Sequence, residues 1–328
     1  MMTLYVATRT GLVMAEEGAN GWRETGRSLT NHHVTTLIAR EGVILAGTTD
    51  GIFRSADGGQ QWGEVSNGLT ERHVRWLAFH PEISDLEFAG TEPAAIFVSN
   101  NGGDSWQERP EVAELRDKFG WWLPYSPEAG CVRGFAFHGQ RVYGAVEVGG
   151  ALRSDDGGKT WDLAPGSDGR PVFTLPSLHH IQSDVHAVKT HPDSPDLVYA
   201  PTSGGFFASE DGGAQWDLLY PDCYVRAVWV DPIDRRRMVL GPSQNSSGRN
   251  GRIEVTHDGG ETWEKTAVSW RRNMVERFRP LGNHLFAILA NGELLQTELP
   301  TGARNLAGIV WTATLPSLVG VNDVAHLD

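Results

Sequence analysis

Five times the sequence writes nearly the same eight residues: SADGGQQW at 55–62, SNNGGDSW at 99–106, SDDGGKTW at 154–161, SEDGGAQW at 209–216 and THDGGETW at 256–263. The third position falls at Asp57, Asn101, Asp156, Asp211 and Asp258, in steps of 44, 55, 55 and 47 residues. A period of that size marks a repeat architecture in which each unit buries its apolar face against the next. Each copy follows an apolar run such as GIFRS, AIFVS or GALRS and ends in tryptophan, so it reads as a hairpin turn between two strands. The paired glycines adopt backbone angles that other residues resist. The hydroxyl and carboxylate accept bonds from the turn's own amides, and the indole fills the gap between neighbouring sheets.

A second phrase recurs seven times: HVTTLIA from His33, HVRWLAFHP from His73, CVRGFAFHG from Cys131, DVHAVKTHP from Asp184, YVRAVWVDP from Tyr224, MVERFRP from Met274 and DVAHLD from Asp323. Each copy suits the innermost strand of a four-stranded unit. The last copy ends the sequence, while TLYVAT, GLVMAEE and GWRET near its start have no such strand before them. The ring is therefore expected to close by joining the two ends. The expectation is an all-β, seven-bladed β-propeller spanning residues 1–328 as a single domain, an arrangement that leaves only short sheet edges.

The S-x-D-x-G-x-x-W phrase resembles the Asp-box, or BNR repeat, of sialidase-like propellers. The whole chain is similar to BNR-repeat propellers of the kind that includes photosystem II assembly factors and xyloglucan-cleaving glycosidases. That resemblance implies that the Asp-boxes are structural and lie away from the active centre. Sialidases proper have six blades and open with Arg-Ile-Pro, a tripeptide absent here.

The formal charge of −13 argues against binding a phosphate backbone, which needs clustered Lys and Arg. No run approaches the roughly 20 apolar residues needed to span a bilayer, and the start lacks the charged-then-apolar order of a secretory signal. Cys131 and Cys223 are the only thiols, too few for a disulfide framework, so a cytoplasmic protein is expected, with no nucleic-acid or membrane partner. No phosphate-cradling loop, serine nucleophile elbow or Cys–His motif occurs.

If the inner strands run from one face to the other, the Asp-boxes lie at the bottom and the loops entering the inner strands lie at the top. Two of those loops are long, giving insertions at 107–130 and 162–183 on neighbouring blades. The residues flanking the shared valine form a polar collar, the following position being Thr35, Arg75, Arg133, His186, Arg226, Glu276 and Ala325. Arg75, Arg133 and Arg226 could converge on a carboxylate, with Asp323 also at the opening. Tyr224, Glu276 and Asp184 are then the candidate nucleophile, base and acid of a glycosidase-like reaction, and Trp121, Trp122 and Tyr125 could stack on a sugar. This makes a top-face funnel for a small polar, anionic or carbohydrate-like ligand. Two alternatives stand beside it. One is a divalent metal held by His33, His73 and His186, near His179, His180 and Asp184, serving a lyase or oxygenase. The other is a non-catalytic scaffold for protein partners.

Overall fold

Seven antiparallel sheets stand around one axis. The computed structural model describes residues 2–19, 21–126, 129–173, 176–268, 273–299, 306 and 308–327; positions 127, 128, 174 and 175 of the two insertions lie outside that set. Blade one takes Thr3–Thr8, Gly11–Gly18 and Gly21–Ser28 from the start of the chain and its innermost strand, Val321–His326, from the end. Blades two to seven follow in order, at 34–64, 74–108, 131–163, 189–221, 224–265 and 275–313. Six sheets have four strands; the seventh gains a fifth, because Ala267–Val268 pairs in parallel with Val310–Ala313. Among the described residues no helix is long and apolar enough to cross a membrane.

The Asp-box geometry explains the eight-residue phrase atom by atom. In the third copy Asp156 accepts the amides of Lys159 and Thr160, both at 3.0 Å, and the Ser154 hydroxyl at 2.8 Å. Ser154 Oγ accepts the Gly158 amide, and Gly158 has a φ of 84°. The indole of Trp161 donates to Gly158 O and its ring meets Phe88 of the preceding blade 6.5 Å away. The copy with asparagine departs: Trp106 donates across to Val65 O of blade two. Replacing Asp156 by alanine leaves two turn amides without their acceptor. The expected loss is about 1–2 kcal/mol in urea unfolding.

The inner strands do not run as unbroken ladders. Five carry a register shift just after the valine: between Val34 and Thr36, Val74 and Trp76, Val132 and Gly134, Val225 and Val228, and Val275 and Arg277. An extra residue there faces no partner, so the strand bends and the side chain is re-aimed. In blade one Thr8 pairs with Val321 and Ala7 with Asp323, which leaves Asn322 as the bulged residue. Blade five is the most irregular: Val185 makes one isolated bridge to Thr202 and the ladder resumes only at Lys189–His191. Glycines on the second strands make room for the next blade's valine. A Cβ at Gly90 would stand 2.6 Å from Val132 Cγ1, and one at Gly241 would stand 2.6 Å from Val275 Cβ.

Candidate functional site: an arginine-lined funnel

A cavity of about 480 Å³ opens on the axis at the face away from the Asp-boxes. Its wall contains the bulged residues of six blades: Thr35, Arg75, Arg133, Arg226, Glu276 and Asn322. The collar expected from the sequence therefore exists, but alternation along a regular strand does not build it. The bulges do, because each turns one side chain out of the sheet's pleat and towards the axis. The same face receives the turns between second and third strands, which add Arg9, Thr49, Ala290 and Gly292. The repeated valine phrase marks only the inner-strand loops, so these four residues go unmarked in the sequence.

The bulges also correct the seventh repeat. Aligning Val324 with the other valines put Asp323 and Ala325 at the collar, whereas Val321 is the equivalent valine and Asn322 the collar residue. Asp323 faces the core below the funnel and is completely buried. Its Oδ2 accepts Thr36 Oγ1 at 2.9 Å, Leu37 N at 3.1 Å and Arg277 Nη1 at 2.8 Å, while Arg279 reaches both oxygens at 2.7 Å. Arg277 and Arg279 also lie over the ring of Trp76 at 4.3 and 4.6 Å. Lys189 sits near this group, and burial, with help from Arg279, pushes its amine down to about 8. Asp323 is thus a structural counter-ion, not a ligand contact.

Five arginines line the cavity, Arg9, Arg75, Arg133, Arg226 and Arg277, against the single carboxylate of Glu276 among the described lining residues. Their other counter-charges lie behind them. Arg75 pairs with buried Glu92 at 2.9 Å and Arg133 with buried Glu147 at 3.0 Å. Glu276 accepts Arg133 Nη2 at 3.0 Å and Arg226 Nη1 at 2.8 Å. Burial pushes the Glu276 carboxyl up, but Arg226 and Arg133 outweigh it and hold the group at about 2. On a chain of net charge −13, the opening thus presents a wall of guanidinium donors whose counter-charges are mostly buried behind it.

Of the candidate glycosidase residues, only Glu276 lines the funnel. Tyr224 lies beside it, its hydroxyl accepting Arg226 Nη2 at 2.9 Å, and burial raises its phenol well above the ordinary value. Asp184 is buried with His186. The histidine set also divides. His33 and His73 line the funnel, but His186 is sealed behind it beside Asp184 and Glu147 and does not join them. Burial lowers the pKa of both funnel histidines and the arginines lower it further, leaving His73 at about 4.

The first insertion folds as a helix, Pro110–Phe119, which begins at proline and ends at left-handed Gly120. It seats Trp121, buried and donating to Gly169 O at 2.7 Å, so this tryptophan ties the two insertions together and does not face a ligand. Trp122 is exposed and meets Phe173 edge-on at 5.7 Å. Tyr125 keeps an exposed ring while its hydroxyl lies near the Glu147 carboxylate and helps to keep it ionised.

The BNR/Asp-box repeat family matches residues 152–163 and 254–265, two of the five turn phrases. No curated protein matches the chain. Among solved structures, an ancestral GH74 enzyme is 17% identical with a TM-score of 0.64 over 85% of this chain. A GH74 enzyme from Niastella koreensis is 16% identical with a TM-score of 0.65 over 94%. The chain spans only 38% and 52% of those two chains. YCF48 bound to a D1 peptide is 14% identical, with a TM-score of 0.59 over 90% of this chain and 88% of its own. At such identities the likeness speaks for the fold. Together with the repeated turns and the closed ring of sheets, it makes this chain a seven-bladed β-propeller of the BNR/Asp-box repeat type.

Proposed function

We propose that the funnel binds the anionic group of a ligand, a carboxylate in the first instance, and that this protein acts by binding and not by hydrolysis. One observation carries the reading: the Glu276 carboxylate already sits between Arg133 and Arg226 as a ligand carboxylate would, while Arg9 and Arg75 stand on the same wall. Planar guanidinium groups suit carboxylates in this way. Hydrolysis of a glycoside calls for one carboxyl that gives a proton and a second group beside it. Glu276 at about 2 stays ionised and occupied, and Asp184 is not in the funnel.

A polypeptide carrying the carboxylate is the second reading. It is favoured by the exposed rim of Trp122, Val172, Phe173 and Leu178 on the two insertions, and by the YCF48 structure that holds a D1 peptide. The test is calorimetry with acetate, glucuronate and a short peptide with a free C-terminal carboxylate, each at low and high salt. Binding should weaken as salt rises. It should fall at least tenfold in an Arg9→Gln, Arg75→Gln double variant, which leaves the Arg133–Glu276–Arg226 group in place. A bound anion also offsets the positive field at His73, so its imidazole pKa, followed by NMR, should move up from about 4. Unchanged affinity in the double variant, or an unmoved His73, would refute the reading, and a preference among the three probes identifies the carrier.

A further inference from the structure

Behind the arginines lies a second cluster, independent of what the funnel holds. Glu147, at the end of the strand Arg141–Glu147, meets Asp184 and His186 from the segment entering blade five. One ligand atom from each lies within 4.8 Å of the others, and all three residues are buried. His186 Nδ1 stands 2.6 Å from the carbonyl oxygen of Val225. A carbonyl only accepts, so Nδ1 carries the hydrogen and in the neutral ring Nε2 presents a lone pair. Asp184 Oδ2 stands 3.3 Å from Nε2, off the line of that lone pair, with the side chains 0% and 6% exposed. Neither His186 Nε2 nor Asp184 Oδ1 has a hydrogen-bond partner.

Two buried acceptors this close repel unless a positive charge lies by them. Glu147, Asp184 and Glu276 bring three negative charges against Arg133 and Arg226, so a neutral imidazole leaves one negative charge unmatched. Either a proton on Nε2 or a metal ion would match it. The 3.3 Å contact is within hydrogen-bond reach and makes no hydrogen bond, which disfavours the proton. It fits a metal: nitrogen and oxygen ligands about 2.0–2.1 Å from zinc in a tetrahedron lie about 3.3 Å apart. A ring N–H fixed by a backbone carbonyl is the usual support of a metal-bound histidine. Glu147 can offer Oε1, since Oε2 takes Arg133 at 3.0 Å while Oε1 stands 3.6 Å from Arg226; the Tyr125 hydroxyl near this carboxylate would share it with the ion.

We propose that Glu147, Asp184 and His186 bind a divalent first-row metal ion, with zinc the probe of choice for one imidazole and two carboxylates. Holding Glu147 would in turn fix Arg133, so the ion would act as a brace for the funnel wall. The test uses the full chain without a polyhistidine tag, stripped with a chelator and titrated with zinc against a chromophoric competitor. One equivalent should bind, and His186→Ala and Asp184→Asn should each weaken it by at least ~10-fold. Should neither variant fold, NMR of the wild-type His186 ring decides. Zinc should shift the Nε2 resonance with no hydrogen on that nitrogen. Absence of a stoichiometric site, equal affinity in both variants, or an imidazolium that persists in the presence of zinc would each overturn the proposal.

Discussion

Replacing Asp323 by alanine should lower the stability of the propeller by about 3–5 kcal/mol, the usual result of leaving buried partners without their counter-ion. On a chain of this length that is roughly 4–7 °C in the unfolding midpoint. The effect is large because one carboxylate serves three blades. It belongs to the last strand, which completes blade one, and it holds Thr36 and Leu37 of blade two and Arg277 and Arg279 of blade seven. Without it, two guanidinium groups and Lys189 face one another below the funnel with no counter-ion between them. Asp323→Asn keeps the shape and loses the charge, so it should fall between alanine and wild type. Acid adds an independent signature. Burial pushes the Asp323 carboxyl up, but Arg279 and Arg277 win and hold it below its ordinary value. The folded chain therefore binds fewer protons than the unfolded one. The contribution is complete above the unfolded carboxyl's pKa, about 4, and is lost as pH falls below it. Urea midpoints from pH 7 to pH 3 should show a shallower acid limb in Asp323→Ala. A loss under about 1 kcal/mol, or an acid limb parallel to wild type, would remove Asp323 from this role.

The second large effect is expected at Glu276, and it reverses on adding salt of the right kind. Glu276→Ala takes the carboxylate from between Arg133 and Arg226, the only one lining the funnel among the described residues, and leaves a gap open to the funnel. The loss should be about 2–3 kcal/mol, less than for a sealed pair because water reaches the site. Formate can occupy the gap and restore both ion pairs. At about 100 times its dissociation constant it would return about 2.7 kcal/mol. Thermal unfolding in sodium formate and in sodium chloride of equal ionic strength separates this from screening. Formate should raise the variant's midpoint well above its effect on wild type, while chloride should not. Equal responses to the two salts would mean that Arg133 and Arg226 do not accept an outside carboxylate, and the binding reading would lose its main support.

The blade count, the shared closing blade and the structural role of the turn phrase were all legible in the sequence, because each depends on spacing or on local chemistry. Arg75, Arg133, Arg226 and Glu276 were also placed at one opening, since each follows a valine that repeats. What escaped was the bulge. An inserted residue in a strand has no marker of its own, so period-two reasoning passes over it and assigns the next residues to the wrong side. The misplacement of Asp323 over Asn322 follows directly: with two valines three residues apart, Val321 and Val324, only backbone pairing tells which one precedes the bulge. Glu92 and Glu147 were hidden for another reason. They end apolar second strands, EFAGTE and VYGAVE, where nothing local distinguishes a buried counter-ion from a strand-end solvated carboxylate. His186 was read with His33 and His73 because the repeat is regular there, yet blade five is where the ladder is least regular.

Where an inner strand pauses after its valine, the side chain that follows is released from the demands of pleat, pairing and interior packing. Six such positions around an axis act as sockets, each open to residues of almost any size or charge while the surrounding sheets keep their shape. The constraint that remains is electrical neutrality: a socket carrying an arginine has to change together with the acid behind it. Diversification of ligand preference on this scaffold should therefore proceed by paired exchanges, one at the rim and one a layer deeper, and directed evolution that varies both layers together should outperform libraries confined to the rim.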